Sequence, residues 1–230
     1  MNINFNNIDM ETWSRAETYK YFTETVSTVI YSINVTIDVT KLRNALKIKG
    51  LKFFPAYLYL ITRAMKKHPE FLMAIQDNVL GYFDYRTPFY PVFHEDDKTI
   101  TFLWTEYDDD FEVFYKSYIS DIKQYGKIHG TMLPKGAPPS NNYIISCVPW
   151  FSFNSISMQL QNAKNYYAPI FESGEFIEMN GTTTMPLSIT VNHAAIDGYH
   201  VKTFLEDLQW EVEHPEEWIK DVEIEQCQKN

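Results

Sequence analysis

Apolar and polar side chains alternate through residues 26–39, VSTVIYSINVTIDV, which predicts one long half-buried strand. Upstream, Asp9 is placed to cap a short helix running to about Phe22. Downstream, Thr40 is placed to cap another that stops at Gly50. PAYLYLITRAMKKH begins at Pro55, which suits a first helical turn, and ends before Pro69. It is apolar on most sides, which predicts the central buried helix. Short strands are expected near 78–84, 88–93 and 99–105. Residues 108–126 read as an amphipathic helix with acids at its N-terminal end, where the helix dipole favours them. Residues 127–141, with Pro134, Pro138 and Pro139, read as a loop. The segments NYIISCVPW, FSFNSISMQL, YYAPIF, EFIEM and TMPLSITVNH read mostly as strands, and a last helix opens at about Gly198. This order predicts a mixed α/β fold (an α+β two-layer sandwich), with helices packed on one large mixed, mainly antiparallel sheet.

Composition narrows the picture. At 230 residues, 45% hydrophobic and 16% aromatic, the chain can bury one sizeable core, so residues 1–230 are expected to form a single domain. A formal net charge of −10 argues against nonspecific nucleic-acid or anionic-membrane binding. Cys147 sits in an apolar run and reads as a buried thiol, whereas Cys227 lies in the charged tail, so no disulfide framework is expected. The first residues lack a basic and an apolar signal region, and no apolar stretch is long enough to span a bilayer. A cytoplasmic protein is the expectation.

The chemistry concentrates in VNHAAIDGYHV, residues 191–201. His193 ends an apolar run, which places its ring at the rim of the core. An imidazole there with a free ring nitrogen is a general base near pH 7. A core histidine that only makes hydrogen bonds is the competing reading. Asp197 and Gly198 follow at a spacing that turns the chain into the last helix. A metal reading of His193, Asp197 and His200 lacks a further ligand, because His94 and His129 lie in unrelated segments. No metal is therefore expected.

NHAAIDG resembles the H-H-x-x-x-D-G motif of the chloramphenicol acetyltransferase and dihydrolipoyl acyltransferase superfamily. Further segments resemble the trimeric chloramphenicol acetyltransferases in order: WSRAETYKYF, FFPAYLYLITRAMKKHPEFLMAI, PVFHEDDKTITFLWTEYDDDF, ISCVPWFSFNSISMQLQN, YYAPIF and IDGYHV. The likeness runs over roughly residues 5–213. It implies acetyl transfer from acetyl-CoA to the 3-hydroxyl of chloramphenicol, which confers antibiotic resistance. His193 is then the base, Ser146 the donor to the oxyanion, and Asp197 with Arg15 a structural pair holding the histidine loop. The resemblance also implies a homotrimer with active sites at subunit interfaces. Phe22, Val29, Tyr31, Met158 and Leu160 are implied on the acceptor side, and Lys52 and Trp150 at CoA.

The chain departs from the family pattern at several positions. Asn192 stands where the motif has its first histidine. Glu172 replaces a threonine on the substrate side, and Glu175 a lysine near the CoA phosphate. Pro91 and Ile100 replace drug-side residues. These changes motivate two other expectations: an acyltransferase for a different hydroxyl or thiol, or a ligand-binding relative without turnover.

Overall fold

The computed structural model describes residues 3–161 and 163–220; Cys227 lies outside them. The chain opens with β1 (Phe5–Asn7), which the hydrophobic pattern did not predict. Asp9 then holds a turn instead of starting a helix, its carboxylate accepting from the Glu11 N–H at 2.9 Å and from Thr12 Oγ1 at 3.0 Å. The first helix begins later, as α1 (Ala16–Lys20), and widens into a π-helical turn over Tyr21–Thr25. β2 (Ile30–Asp38) is shorter than the alternation suggests, because Ser27 takes a positive φ of 80° and breaks the extended run.

α2 (Thr40–Ile48) is not capped by Thr40: its N-cap is Val39, without a side-chain cap, and the Asp38 carboxylate just before it accepts the Thr40 N–H at 2.9 Å. Gly50, at φ 67°, ends that stretch as predicted. α3 (Phe53–Met65) is the buried helix, with ten of its thirteen residues in the core. Pro69 opens a short α4 (Pro69–Leu72) that leads into β3 (Met73–Gln76). Asp77 and Asn78 both have positive φ, the geometry of a two-residue hairpin turn into β4 (Val79–Phe83). β1, β4 and β3 form a small separate sheet.

The large sheet is built from β2, β5 (Thr87–Phe93), β6 (Ile100–Trp104), β7 (Asn142–Val148), β8 (Ile170–Gly174), β9 (Ile177–Met179) and β10 (Thr182–Asn192). Between β6 and β7 stands α5 (Phe111–Tyr125), capped by Asp110. After β10 comes α6 (Gly198–Glu213). The strand order is β2-β10-β8-β7-β5-β6, with β9 also on β10. β7 runs parallel to β5 and β8, and the other pairs are antiparallel. The mixed sheet with helices packed on it is the architecture the sequence predicts.

β10 explains why a strand can be buried on both faces and still carry polar residues. Leu187, Ile189 and Val191 enter the core with α3 and α6. The alternate residues Ser188, Thr190 and Asn192 face the other way and are buried too. That face is covered by the segment FSFNSISMQL, which is not a strand as expected. Its backbone is satisfied by side chains instead: the Ile156 N–H donates to Asn34 Oδ1 at 2.9 Å, and Ser188 Oγ donates to the Ile156 carbonyl at 2.9 Å.

Arg86 ties the two sheets together. Its guanidinium is fully buried and donates to the carbonyls of Phe71 at 2.7 Å, Asn142 at 3.0 Å and Met73 at 2.5 Å. Burial lowers its pKa to about 10, so it remains charged at neutral pH. A lysine is a point donor and cannot reproduce this fork. Each carbonyl left without a donor costs about 1–3 kcal/mol. Arg86→Lys is therefore expected to lower the unfolding free energy in urea by at least about 2 kcal/mol; a loss below about 0.5 kcal/mol would show that the fork does not hold the sheets.

Candidate active site

His193 is the first residue after β10, and the chain fixes its ring on several sides. Its backbone N–H donates to the Val29 carbonyl at 2.9 Å. Phe22, presented by the π-helical turn, stacks on the imidazole with centroids 4.3 Å apart and planes at 18°. Tyr31 meets the ring at 5.0 Å, and its hydroxyl donates to the Ile196 carbonyl at 3.1 Å. Burial and the Asp197 charge, opposed by Arg15, raise the Tyr31 phenol to about 12, so it stays a neutral donor. The His193 Nδ1 atom is buried without a hydrogen-bond partner.

The turn after His193 is held by the residue that precedes it. Asn192 Oδ1 accepts the Ala194 N–H at 3.0 Å, and Asn192 Nδ2 donates to the Tyr166 carbonyl at 3.2 Å. The departure from the family motif thus has a structural role, legible in hindsight from an asparagine at a strand end.

Asp197 anchors the far side of the turn. Its Oδ2 accepts from Arg15 Nη1 at 2.5 Å. Its Oδ1 accepts from the Tyr199 N–H at 3.0 Å and the His200 N–H at 3.4 Å, capping α6. The cap is reciprocal, since the Asp197 N–H donates to His200 Nδ1 at 3.1 Å. Burial pushes the Asp197 carboxyl up, but His200 and Arg15 together hold it below its ordinary value. The predicted pair of Arg15 and Asp197 is present.

Ser146 lies elsewhere in the same chain. It is level with Glu172 on β8, and Glu172 is level with Ser188 on β10. His193 is five positions beyond Ser188. At roughly 3.3 Å per residue and roughly 4.8 Å per strand, the histidine and the serine are on the order of 19 Å apart. Ser188 is in turn level with Asn34 on β2, so one polar row runs across four strands on the face away from the core helices. Carrying the β5–β7 register two residues past Phe89 and Ile144 brings Pro91 level with Ser146. Pro91 and Glu172 therefore flank the serine, although they are far apart in sequence.

The remaining candidates distribute between these two regions. Val29, Met158 and Leu160 belong to the His193 side: a groove of about 600 Å³ is lined by Ser27, Thr28, Ile30, Met158 and Leu160 among others. Ile100 is paired with Phe93, and Phe93 meets Trp150 edge-on at 4.9 Å, so all three extend the Ser146 side as an exposed apolar patch. Lys52 is exposed at the N-terminus of α3, where its backbone N–H donates to Tyr115 Oη at 2.9 Å. Its neighbour Phe53 packs edge-on against Phe176 at 4.8 Å, which brings exposed Glu175 to the same end. Cys147 is half-buried, and burial raises its thiol pKa.

Sequence spacing misplaced one pair. His94 and His129 are not in unrelated surroundings; their ring centroids are 4.1 Å apart. Among the described residues no helix is long and apolar enough to cross a membrane.

Solved structures share this fold. A chloramphenicol acetyltransferase superposes with a TM-score of 0.75 at 24% identity, covering 90% of this chain and 98% of that one. The catalytic core of a 2-oxoacid dehydrogenase complex from Thermoplasma acidophilum gives 0.64 at 16% identity over 90% of this chain and 98% of its own. In sequence, the chloramphenicol acetyltransferase family profile matches residues 3–209. The chloramphenicol acetyltransferase of Clostridium perfringens is 36% identical over 94% of this chain and 98% of its own length. That of Bacillus pumilus is 37% identical over 94% and 97%. The chain belongs to the chloramphenicol acetyltransferase family.

The Arg15–Asp197 pair is partly buried, at 14% and 32% side-chain exposure, so removing one partner strands the other. In a double-mutant cycle of Arg15→Ala and Asp197→Asn, a stabilising coupling of about 1–3 kcal/mol is expected. Because the Asp197 carboxyl is depressed on folding, its contribution is complete above the ordinary aspartate range and is lost as pH falls below it. Additive losses would show that the two groups do not form a pair.

Glu172 behaves in the opposite sense. The residue is 8% exposed, its Oε2 is buried without a partner, and burial raises its pKa. The folded state therefore binds the proton more tightly than the unfolded chain. Wild-type stability relative to Glu172→Gln should fall as pH rises from the ordinary glutamate value of 4.5 through the raised one. Parallel profiles of melting temperature against pH for the two proteins would refute the raised pKa of this carboxyl.

Proposed function

We propose that this chain transfers the acetyl group of acetyl-CoA to the 3-hydroxyl of chloramphenicol in the cytoplasm, as a homotrimer whose active sites form between copies. The observation that carries the reading is the constrained ring of His193, stacked on Phe22 and tied to Val29, at the end of a strand whose loop is locked by Arg15 and Asp197. Family membership supports both substrates.

His193 takes the hydroxyl proton through Nε2, since Nδ1 is enclosed without a partner. The substrate oxygen attacks the thioester carbonyl carbon, and the negative charge moves to the carbonyl oxygen. Ser146 donates its hydroxyl to that oxyanion. Collapse breaks the carbon–sulfur bond, and the thiolate of CoA leaves with the proton returned by His193. Asp197 and Arg15 are positioning residues that hold the loop and exchange no proton with substrate.

The separation of His193 from Ser146 along the sheet supports a site completed by a second copy. One copy offers His193 with Phe22, Val29, Tyr31, Met158 and Leu160. The neighbour offers Ser146 with Pro91, Ile100 and Glu172, where Phe93 and Trp150 leave apolar surface exposed. Lys52 and Trp150 are assigned to CoA, with Glu175 at the edge of the same region.

Pro91 and Glu172 on either side of Ser146 favour one second reading, a hydroxyl or thiol acceptor other than chloramphenicol. Release of free thiol from acetyl-CoA separates the two: turnover with chloramphenicol supports the first, and turnover only with other alcohols or thiols supports the second. Turnover with no acceptor overturns both.

The shared site has its own test. His193→Ala and Ser146→Ala are each expected to lower kcat by about 10²–10³-fold or more. Co-expressed, the two inactive chains should regain turnover, because about a quarter of randomly assorted interfaces pair an intact histidine with an intact serine. No recovery in mixed oligomers would place both groups in one copy, and near wild-type turnover of either single variant would remove that residue from the mechanism.

A further inference from the structure

We propose that His94, Asp96 and His129 form a site for a borderline divalent transition metal, Zn²⁺ by choice of donors, that clamps the loop after α5 onto the β5–β6 hairpin. It uses none of the residues assigned to acyl transfer.

The three side chains each present a ligand atom, and these atoms lie within 4.8 Å of one another. His129 Nε2 is 3.6 Å from Asp96 Oδ2. That distance is too long for a hydrogen bond. It is close to the edge of a tetrahedron with metal–ligand bonds of about 2.0–2.2 Å, which is roughly 3.3 Å. A small closure of the hairpin turn would bring the set to coordinating range. Asp96 and His129 are exposed, whereas His94 is buried.

The surroundings resemble those of a bound metal more than those of a chance ion pair. Each imidazole has one nitrogen already engaged by an oxygen. His94 Nε2 bonds Thr101 Oγ1 at 3.0 Å, and His129 Nδ1 bonds Asp97 Oδ2 at 2.7 Å. The nitrogens that remain are His94 Nδ1 and His129 Nε2. Metal-binding histidines are oriented in this way, with the second nitrogen donated to a carboxylate or other oxygen. Asp97 is itself held, its Oδ1 accepting from the Thr99 N–H at 3.0 Å and from Thr99 Oγ1 at 2.6 Å. Two imidazoles and one carboxylate suit zinc or its neighbours in the first transition row and leave a position for water.

The gain to the fold is local. β6 is the outer strand of the large sheet. The loop carrying His129 covers that edge, where the Phe102 N–H donates to the Met132 carbonyl at 2.8 Å. A metal joining His129 to His94 and Asp96 would pin this cover to the strand connection it protects.

The test uses full-length untagged protein, stripped with a chelator and titrated with ZnCl₂ by calorimetry and by thermal melting. One site of micromolar affinity or tighter is expected, with a melting temperature that rises on zinc addition and falls back with EDTA. His129→Gln and Asp96→Asn, both at exposed positions, should each weaken zinc binding at least tenfold and abolish the thermal shift. Co²⁺ should give the visible absorption of a nitrogen–oxygen tetrahedral site in the wild type and not in His129→Gln. Absence of saturable zinc binding overturns the proposal. So does equal binding by both variants, which would move the metal to another histidine.

Discussion

Asp197 carries two tasks with one carboxylate, and the geometry of the histidine depends on both being met. One oxygen caps α6, and the other takes the guanidinium of Arg15. The first fixes where the helix starts, and the second fixes that start against the N-terminal segment. Because α1 continues directly into the π-helical turn bearing Phe22, the same pair sets the aromatic face on which His193 stacks. A neutral cap could start the helix equally well, since asparagine and serine are comparable caps. It could not balance the partly buried charge of Arg15. The choice of aspartate thus follows from the ion pair, and the cap comes with it.

β10 connects that corner to the rest of the molecule. Its odd-numbered residues from Leu187 to Val191 enter the apolar core, so a slip by one residue would drive Ser188 and Thr190 into it. The register that results also aligns Asn34, Ser188, Glu172 and Ser146 across four strands. The position of Ser146 is therefore a consequence of how β10 packs, and so is its distance from His193. Ser32 Oγ and Thr190 Oγ1, 2.6 Å apart, pair within the same face and keep it polar without leaving those two groups unsatisfied.

Much of this was legible in the chain, and the failures share a cause. The buried helix, the loop of 127–141 and the helix from Gly198 follow from periodicity, proline and glycine, which act locally. FSFNSISMQL misled because its alternation is real but its backbone partners are side chains of β2 and β10, a tertiary arrangement that propensity does not encode. Asp9 and Thr40 are good capping types, yet Asp9 closes its own turn and Asp38 reaches the helix first. Of the site, the histidine and its Arg15–Asp197 support were legible through the motif. The neighbours of Ser146 were not, since Pro91 and Glu172 meet it only across strands. His94 and His129 are 35 positions apart in the chain and share a site only because the loop after α5 returns to the hairpin.

The two acidic departures differ in weight because they differ in solvent. Glu175 is exposed, so its charge acts on any neighbouring charge through water and salt, an interaction of about 1 kcal/mol or less at close range. Lys52, at the same end, supplies a charge of the other sign. Glu172 has no such screening: it is buried, one oxygen lacks a partner, and its carboxyl is pushed toward the neutral acid. A neutral carboxyl presents both a donor and an acceptor beside Ser146. An ionised one would offer only acceptors. The fold sets the direction of that shift by burying Glu172.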